Sequence, residues 1–156
     1  GLAPAIPIAL EIPNPLVIPA ARAHTKFQKG RQVYSVNRYD PWCELEIRTV
    51  SEQPQRVWPG RFQVRRVQQA FIKDYNTRIS AVLAGFSCDD LVFKETVWWL
   101  APEKPSPVMY LRCLAPYVNC RFGPPLSLSQ IQDVVGPKIR VEAGARPAPD
   151  APTGPR

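Results

Sequence analysis

Apolar and polar positions follow different rhythms along this chain. From Cys43 to Thr49 they alternate strictly, with Cys43, Leu45, Ile47 and Thr49 on one side and Glu44, Glu46 and Arg48 on the other. That is the period of a strand. Residues 32–36 (QVYSV) form a second strand-like piece, and Pro41, Pro54 and Pro59 fence the two. These pieces either add an edge strand or lie along a partner. Further on, Leu91 and Trp98, Val92 and Trp99, and Phe93 with Val97 and Leu100 recur at helical spacing, which predicts a helix over residues 87–101. Ser87 is its N-cap, Asp90 sits three positions on, Asp89 and Asp90 face the positive end of the helix dipole, and Pro102 stops it. Apolar residues wrap most of that helix, as on one packed between a sheet and a partner.

The same pattern places a strand at residues 68–75 after a basic lead-in from Gly60, and turn chemistry follows at Asp74, Tyr75, Asn76 and Thr77. Strands are predicted at residues 108–114 and 117–122, with Gly123 turning the chain. Ser127 and Gln130 have the spacing of a capping box, which opens a second helix near residues 129–135. Ile131, Val134 and Val135 line one face of it, and Gly136-Pro137 end it.

Composition changes the picture at both ends. Among the 19 prolines are Pro4, Pro7, Pro13, Pro15 and Pro19 near the start and Pro147, Pro149, Pro152 and Pro155 near the end. Chain of that kind disfavours regular helices and central strands. Residues 1–59 are therefore expected to form an N-terminal extension, 60–136 the folded domain and 137–156 a Pro-rich tail. The apolar residues between the early prolines suit an extended arm lying in a neighbour's groove. The formal net charge of +7 suits a polyanionic neighbour. No run approaches the roughly eighteen apolar residues a spanning helix needs.

Candidate chemistry is sparse. Cys43, Cys88, Cys113 and Cys120 form no C-x-x-C pair, and His24 is the one imidazole. The spacing suits neither a structural zinc site nor a dense disulfide framework, and ordinary thiols are expected. No cofactor or metal is expected. The acidic residues are scattered, the serines lack a histidine partner, and there is no glycine-rich phosphate loop, so no enzymatic activity is expected. The strongest binding candidates are Arg61, Arg65 and Arg66, whose guanidinium forks suit phosphate, with Phe62 between them to stack on a base or on protein. Lys26, Lys29 and Arg31 form a second basic patch around Gly30, and Trp98 with Trp99 read as an exposed interface pair.

The succession Gly60-Arg61-Phe62, Arg65-Arg66, the helix with Phe93 and Glu95, the strand after Pro107-Val108 and the closing strand–Gly–helix resembles a small thioredoxin-like domain. Two mitochondrial ribosomal proteins and a peripheral-arm subunit of respiratory complex I share that domain. The resemblance covers about half the chain and implies an α/β fold. It also implies a structural role in the mitochondrial small ribosomal subunit, in the matrix, with ribosomal RNA and ribosomal proteins as partners and no small-molecule substrate. An accessory subunit of complex I is the alternative. In such folds the redox cysteines stand where the first helix begins; here Cys88 stands there alone, which implies no redox chemistry. The family often carries a cis-proline at the place of Pro116, so Ala115-Pro116 is either cis or an ordinary trans loop bond. The three residues Pro124, Pro125 and Leu126 leave little room for the family's fourth strand.

Overall fold

A computed structural model describes residues 1–73, 77–79, 92–116 and 125–144. It is dominated by antiparallel strands: β1 (Ile8–Ile12), β2 (Leu16–Ile18), β3 (His24–Gln28), β4 (Arg31–Val33), β5 (Trp42–Ile47), β6 (Gln55–Val57), β7 (Gly60–Lys73), β8 (Thr77–Ile79), β9 (Val92–Pro102), β10 (Val108–Pro116) and β11 (Arg140–Ala143). The one α-helix among the described residues is α1 (Leu128–Val135), which a short 3-10 turn, Gly136–Lys138, follows. The main sheet runs β11-β1-β7-β9-β10-β5-β3-β4, with β8 paired to β7, while β2 and β6 form a separate ribbon. No helix among the described residues is long and apolar enough to cross a membrane.

The sheet is curled. Its concave face carries the main core: Leu10, Ile12, Phe27, Leu45, Ile47, Phe62, Trp98, Leu100 and Leu111, against Ile131, Val134 and Val135 of α1. Each such side chain contributes about 1.5–3 kcal/mol when fully removed from water. Cys43 and Cys113 stand directly opposite each other on that face, on β5 and β10, and are joined by a disulfide. A smaller cluster of Trp42, Ile72, Phe93 and Leu114 lies on the convex face, and Val36 from the β4–β5 loop packs on it. Buried Gln28 pins that loop: its amide donates to the carbonyls of Asn37 and Asp40 at 2.7 and 3.2 Å and accepts from the Asn37 N–H at 2.8 Å.

The two outer strands of the curl, β11 and β4, do not pair with each other; α1 and its 3-10 turn bridge them. The Gln132 side chain accepts from the Val141 N–H at 2.8 Å on β11. On the other side the Gly30 N–H, in the β3–β4 turn, donates to the Val134 carbonyl at 3.0 Å, and Lys138 donates to Gln32 on β4 at 2.8 Å. Gly30 and Gly136 meet where the turn and the helix end touch. Both have positive φ, and a Cβ on Gly136 would lie 2.1 Å from the Gly30 carbonyl oxygen. In this way α1 and its 3-10 turn lie against both outer strands and partly cover their edges.

The expectation of an α/β thioredoxin-like domain is overturned: residues 92–101, predicted as helix, lie in strand β9, which runs on through Pro102. Their apolar residues wrap all sides because β9 is covered on both faces, and an apolar run of this kind is ambiguous between a buried helix and a central strand. The proposed caps of that helix, Ser87, Asp89 and Asp90, and the Cys88 position lie outside the described residues, as do the strand at 117–122 and the fourth-strand segment at Pro124. The basic lead-in from Gly60 is itself the first half of β7, continuous with the predicted strand. Residues 1–59 are not an extension, since they supply β1 through β6, and Arg140–Ala143 of the expected tail pairs with β1. Ordinary thiols at Cys43 and Cys113 are likewise corrected to a disulfide. The Ala115-Pro116 bond is trans. The second helix stands as read, with Ser127 as N-cap and the reciprocal Ser127–Gln130 capping box formed.

Candidate functional site

The strand register disperses the basic residues singled out in the sequence. Arg61 lies on β7, opposite Glu11, and its guanidinium is held by Glu142 of β11 and by Glu103, 3.6 Å from Nε, after β9. It acts as a clamp across the convex face of the sheet's β11 end. Phe62 points to the other side, is 1% exposed and belongs to the core, so the expected stacking role is corrected. A bulge in the β7–β9 pairing separates Arg65, which is exposed, from Arg66, whose guanidinium lies 4.8 Å from the Trp99 ring centroid. Lys29 pairs with Asp40 at 3.3 Å, Arg31 is exposed at the start of β4, and Lys26 is half-buried on β3. Trp98 and Trp99 are consecutive residues of a strand and face opposite sides. Trp98 is 3% exposed in the core, whereas Trp99 is half-buried on the convex face, so they are not an exposed pair.

Two of these residues belong to a polar row that sequence reading missed. Cross-strand pairing aligns His24, Glu46, Tyr110, Trp99 and Arg66 across five strands, with Lys26, Glu44 and Arg112 in the next row. The Trp99 ring meets Tyr110 edge-on at 5.0 Å, and its indole N–H donates to Gln68 at 2.8 Å. Arg112 joins Glu95 of β9 to Glu44 of β5, the latter at 3.4 Å. Burial lowers the His24 pKa, against the pull of Glu44, and burial followed by Glu44 raises that of Glu46. Burial thus works against the charged form of both partners of this 3.9 Å pair. Burial, then Glu46, also raises the Tyr110 pKa, so its phenol stays protonated. His24, Glu46, Tyr110 and Trp99 each meet a neighbour in the row, and Arg66 stacks on Trp99 while its Nε is buried without a hydrogen-bond partner. The arrangement is a polar brace, and the alternation of Glu44 with Glu46 was its visible sign in the sequence.

A cleft opens elsewhere, and its cause is the mismatch in strand length. β7 has 14 residues and β9 has 11, yet β1 covers only Gly60–Gln63 of β7. Past that point the concave side chains Val67, Gln69, Thr96 and Trp98 have no strand beside them on the β1 flank. Residues 1–5 run there instead, tied by the paired backbone bonds between Leu2 and Val67 at 3.2 and 2.7 Å. Leu126 and Leu128, at the start of α1, form a third side. The result is a cleft of about 760 Å³, in which Ile8, Val67, Trp98 and Leu128 provide apolar wall, and Gln69, Thr96 and Ser127 provide hydrogen-bonding groups. No charged side chain lines it among the described residues. Of the sequence candidates only Trp98 is here. The others could be found only with the register of β7 on β9 in hand, because Gln69 and Thr96 become neighbours through pairing.

Among the described residues no group of three or more His, Cys, Asp or Glu is placed to hold a metal ion. The chain matches no protein-family model, no curated protein and no solved structure.

Proposed function

We propose that this protein is a binding protein that takes a small, uncharged, mostly apolar molecule into the cleft between residues 1–5, the outer half of the β7–β9 pair and the start of α1. The observation that carries this reading is the cleft itself. Its volume of about 760 Å³ falls within the range usual for small-molecule sites, and its wall is apolar with a few convergent polar groups. A charged ligand would lose its hydration without meeting a charged side chain of the described lining, which disfavours it. Gln69 and Thr96 supply donors and acceptors for one polar group of the ligand.

The buried disulfide supports a second part of the reading. Cys43 and Cys113 are 0% and 2% exposed and face each other within the core. Disulfides of this kind form in compartments that oxidise thiols, so a secreted, periplasmic or lumenal setting suits the chain better than the matrix expectation. The ribosomal and complex I expectations come from a resemblance whose strand–helix order this fold lacks. Contact with a polyanion retains the net charge of +7 and the exposed Arg31, Arg38, Arg48, Arg56 and Arg65 as support, though these lie on separate elements.

The cleft reading is tested with a neutral apolar fluorophore such as Nile red. Saturable enhancement of its emission at one site per chain is expected. Gln69→Trp, a bulky change at an exposed position on the cleft rim, is expected to abolish it while leaving the melting temperature near that of the parent. Unchanged saturation in that variant would sink the reading.

A further inference from the structure

At the opposite end of the sheet a second concavity has a different character. Glu11, Ile12 and Pro13 at the end of β1, Pro59 and the start of β7, and Glu103 and Lys104 after β9 surround a depression of about 370 Å³. It adjoins a smaller one of about 50 Å³ that Trp58 lines; the two share Pro59, Gly60, Arg61 and Lys104. Neither shares a residue with the cleft described above.

Two observations mark this place. Trp58 is 65% exposed, whereas Trp42 and Trp98 are buried. Its indole takes part in no aromatic or cation–π contact among the described residues. An indole left in water at the rim of a pocket offers a broad, rigid apolar face with little conformational entropy to lose on binding. The second observation is the charge pattern. Arg61, Lys104, Glu11 and Glu103 line the larger depression, two cations against two carboxylates. Arg61 is already paired with Glu103, and Glu11 with Arg140 at 3.1 Å, while Lys104 makes no ion pair among the described residues. An ionic ligand of either sign would meet like charge at this distance from its counter-charge. A neutral ligand rich in hydroxyl groups would instead take hydrogen bonds from Lys104 and Arg61 and give them to Glu11 and Glu103, and charge-assisted bonds are the stronger kind.

We propose that this pocket binds a neutral sugar ring, with the apolar C–H face of the ring on Trp58 and its hydroxyls on Lys104, Glu103, Glu11 and Arg61. A proline-rich peptide fits less well. Grooves for such peptides are lined by several aromatic side chains, and here a single exposed indole stands beside four charged groups.

The full chain is titrated calorimetrically with maltotriose, cellotriose and triacetylchitotriose, and in parallel with a proline-rich peptide. Saturable binding of at least one sugar is expected. Trp58→Ala should weaken it by roughly tenfold or more, as for an interface anchor. Lys104→Ala should weaken it less. Tyr39→Ala removes an equally exposed aromatic on the β4–β5 loop, 74% exposed, and should leave the affinity unchanged. Trp58 is on the surface, so its variant should melt with the parent. Failure of all three sugars to saturate overturns the proposal. So does undiminished affinity in Trp58→Ala, or a peptide that binds there more tightly than any sugar. Nile red uptake at the cleft is read in the same Trp58→Ala protein, so the two sites stand or fall separately.

Discussion

Arg112 sits 14% exposed between two carboxylates, Glu95 with 6% side-chain exposure and Glu44 with 16%. Charges held this far from water are stable only as a set. Arg112→Ala should therefore cost about 3–5 kcal/mol in urea unfolding, because it strands Glu95. Glu95→Gln in the same chain should recover part of that loss; no recovery would show that the packing of the arginine stem, and not its charge, is what matters. Glu46 behaves in the opposite sense. Its folded pKa is raised, chiefly by burial, so its ionised form costs stability above that pKa, and protonation relieves the cost as pH falls. Glu46→Gln should be at least as stable as the parent at neutral pH, with the two converging at the acid end of the carboxylate range. A variant that is less stable at neutral pH, measured by denaturant midpoint, would reverse the sign. His24 adds a loss on the acid side: its folded pKa is lowered, so its penalty grows as pH falls below the ordinary imidazole value.

The helix α1 and the strand β9 mark what could and could not be read in advance. Ser127 and Gln130 at capping-box spacing, Ile131 with Val134 and Val135, and Gly136-Pro137 after them are all local signals, and the helix stands within a residue of its reading. β9 carries no local signal of that kind. Val92, Phe93, Val97, Trp98, Trp99 and Leu100 are β-branched, aromatic or aliphatic residues that suit either state, and pairing with β7 and β10 decided between them. The joint of α1 with the β3–β4 turn gives a sharper test of what closes the sheet. Gly136→Ala puts a methyl group into the Gly30 carbonyl and also strains a positive φ, so it should cost more than the roughly 1–3 kcal/mol of backbone strain alone. Gly144, with φ of +70° and open space where a Cβ would project, is the matched control, and Gly144→Ala should cost about 1 kcal/mol. Equal losses in thermal or urea unfolding would mean that the close approach contributes nothing.

At the scale of the whole molecule, proline content is a poor guide to absence of structure. Pro7, Pro13, Pro15 and Pro19 lie just outside β1 and β2, at turns and strand ends where a missing N–H costs nothing, and Ile8, Leu10, Ile12, Leu16 and Ile18 between them fill the core. The site is hidden from sequence reading for the same reason: residues 1–5 and Ile8 form one side of the cleft, and their prolines suggest a free arm. Removing residues 1–30 takes away β1, β2 and β3, so the truncated chain should lose its cooperative melt and its far-ultraviolet β signal. A folded, protease-resistant remainder from Gly60 would contradict this architecture. The disulfide spans 70 residues of sequence and restricts the unfolded chain accordingly. Cys43→Ala with Cys113→Ala should lower stability by about 2–4 kcal/mol, while the parent in reductant should match the double variant once the bond is broken.

One pairing has a consequence for how the chain is made. β1 is flanked by β7 on one side and by β11 on the other, so a strand that begins at Ile8 gains its second neighbour only from residues 140–143. α1, which bridges the open side of the curl, also comes from the last fifth of the described sequence. During synthesis from the N-terminus the early strands must wait, with apolar faces such as that of Leu10 and Ile12 uncovered, until nearly the whole chain has emerged. Sheets built from such distant partners fold slowly and are prone to aggregate before closure. A ribosome stalled just before residue 128 should therefore display a nascent chain that is protease-sensitive and bound by holding chaperones, and release of the remaining C-terminal residues should switch it to the resistant form within a single cooperative step.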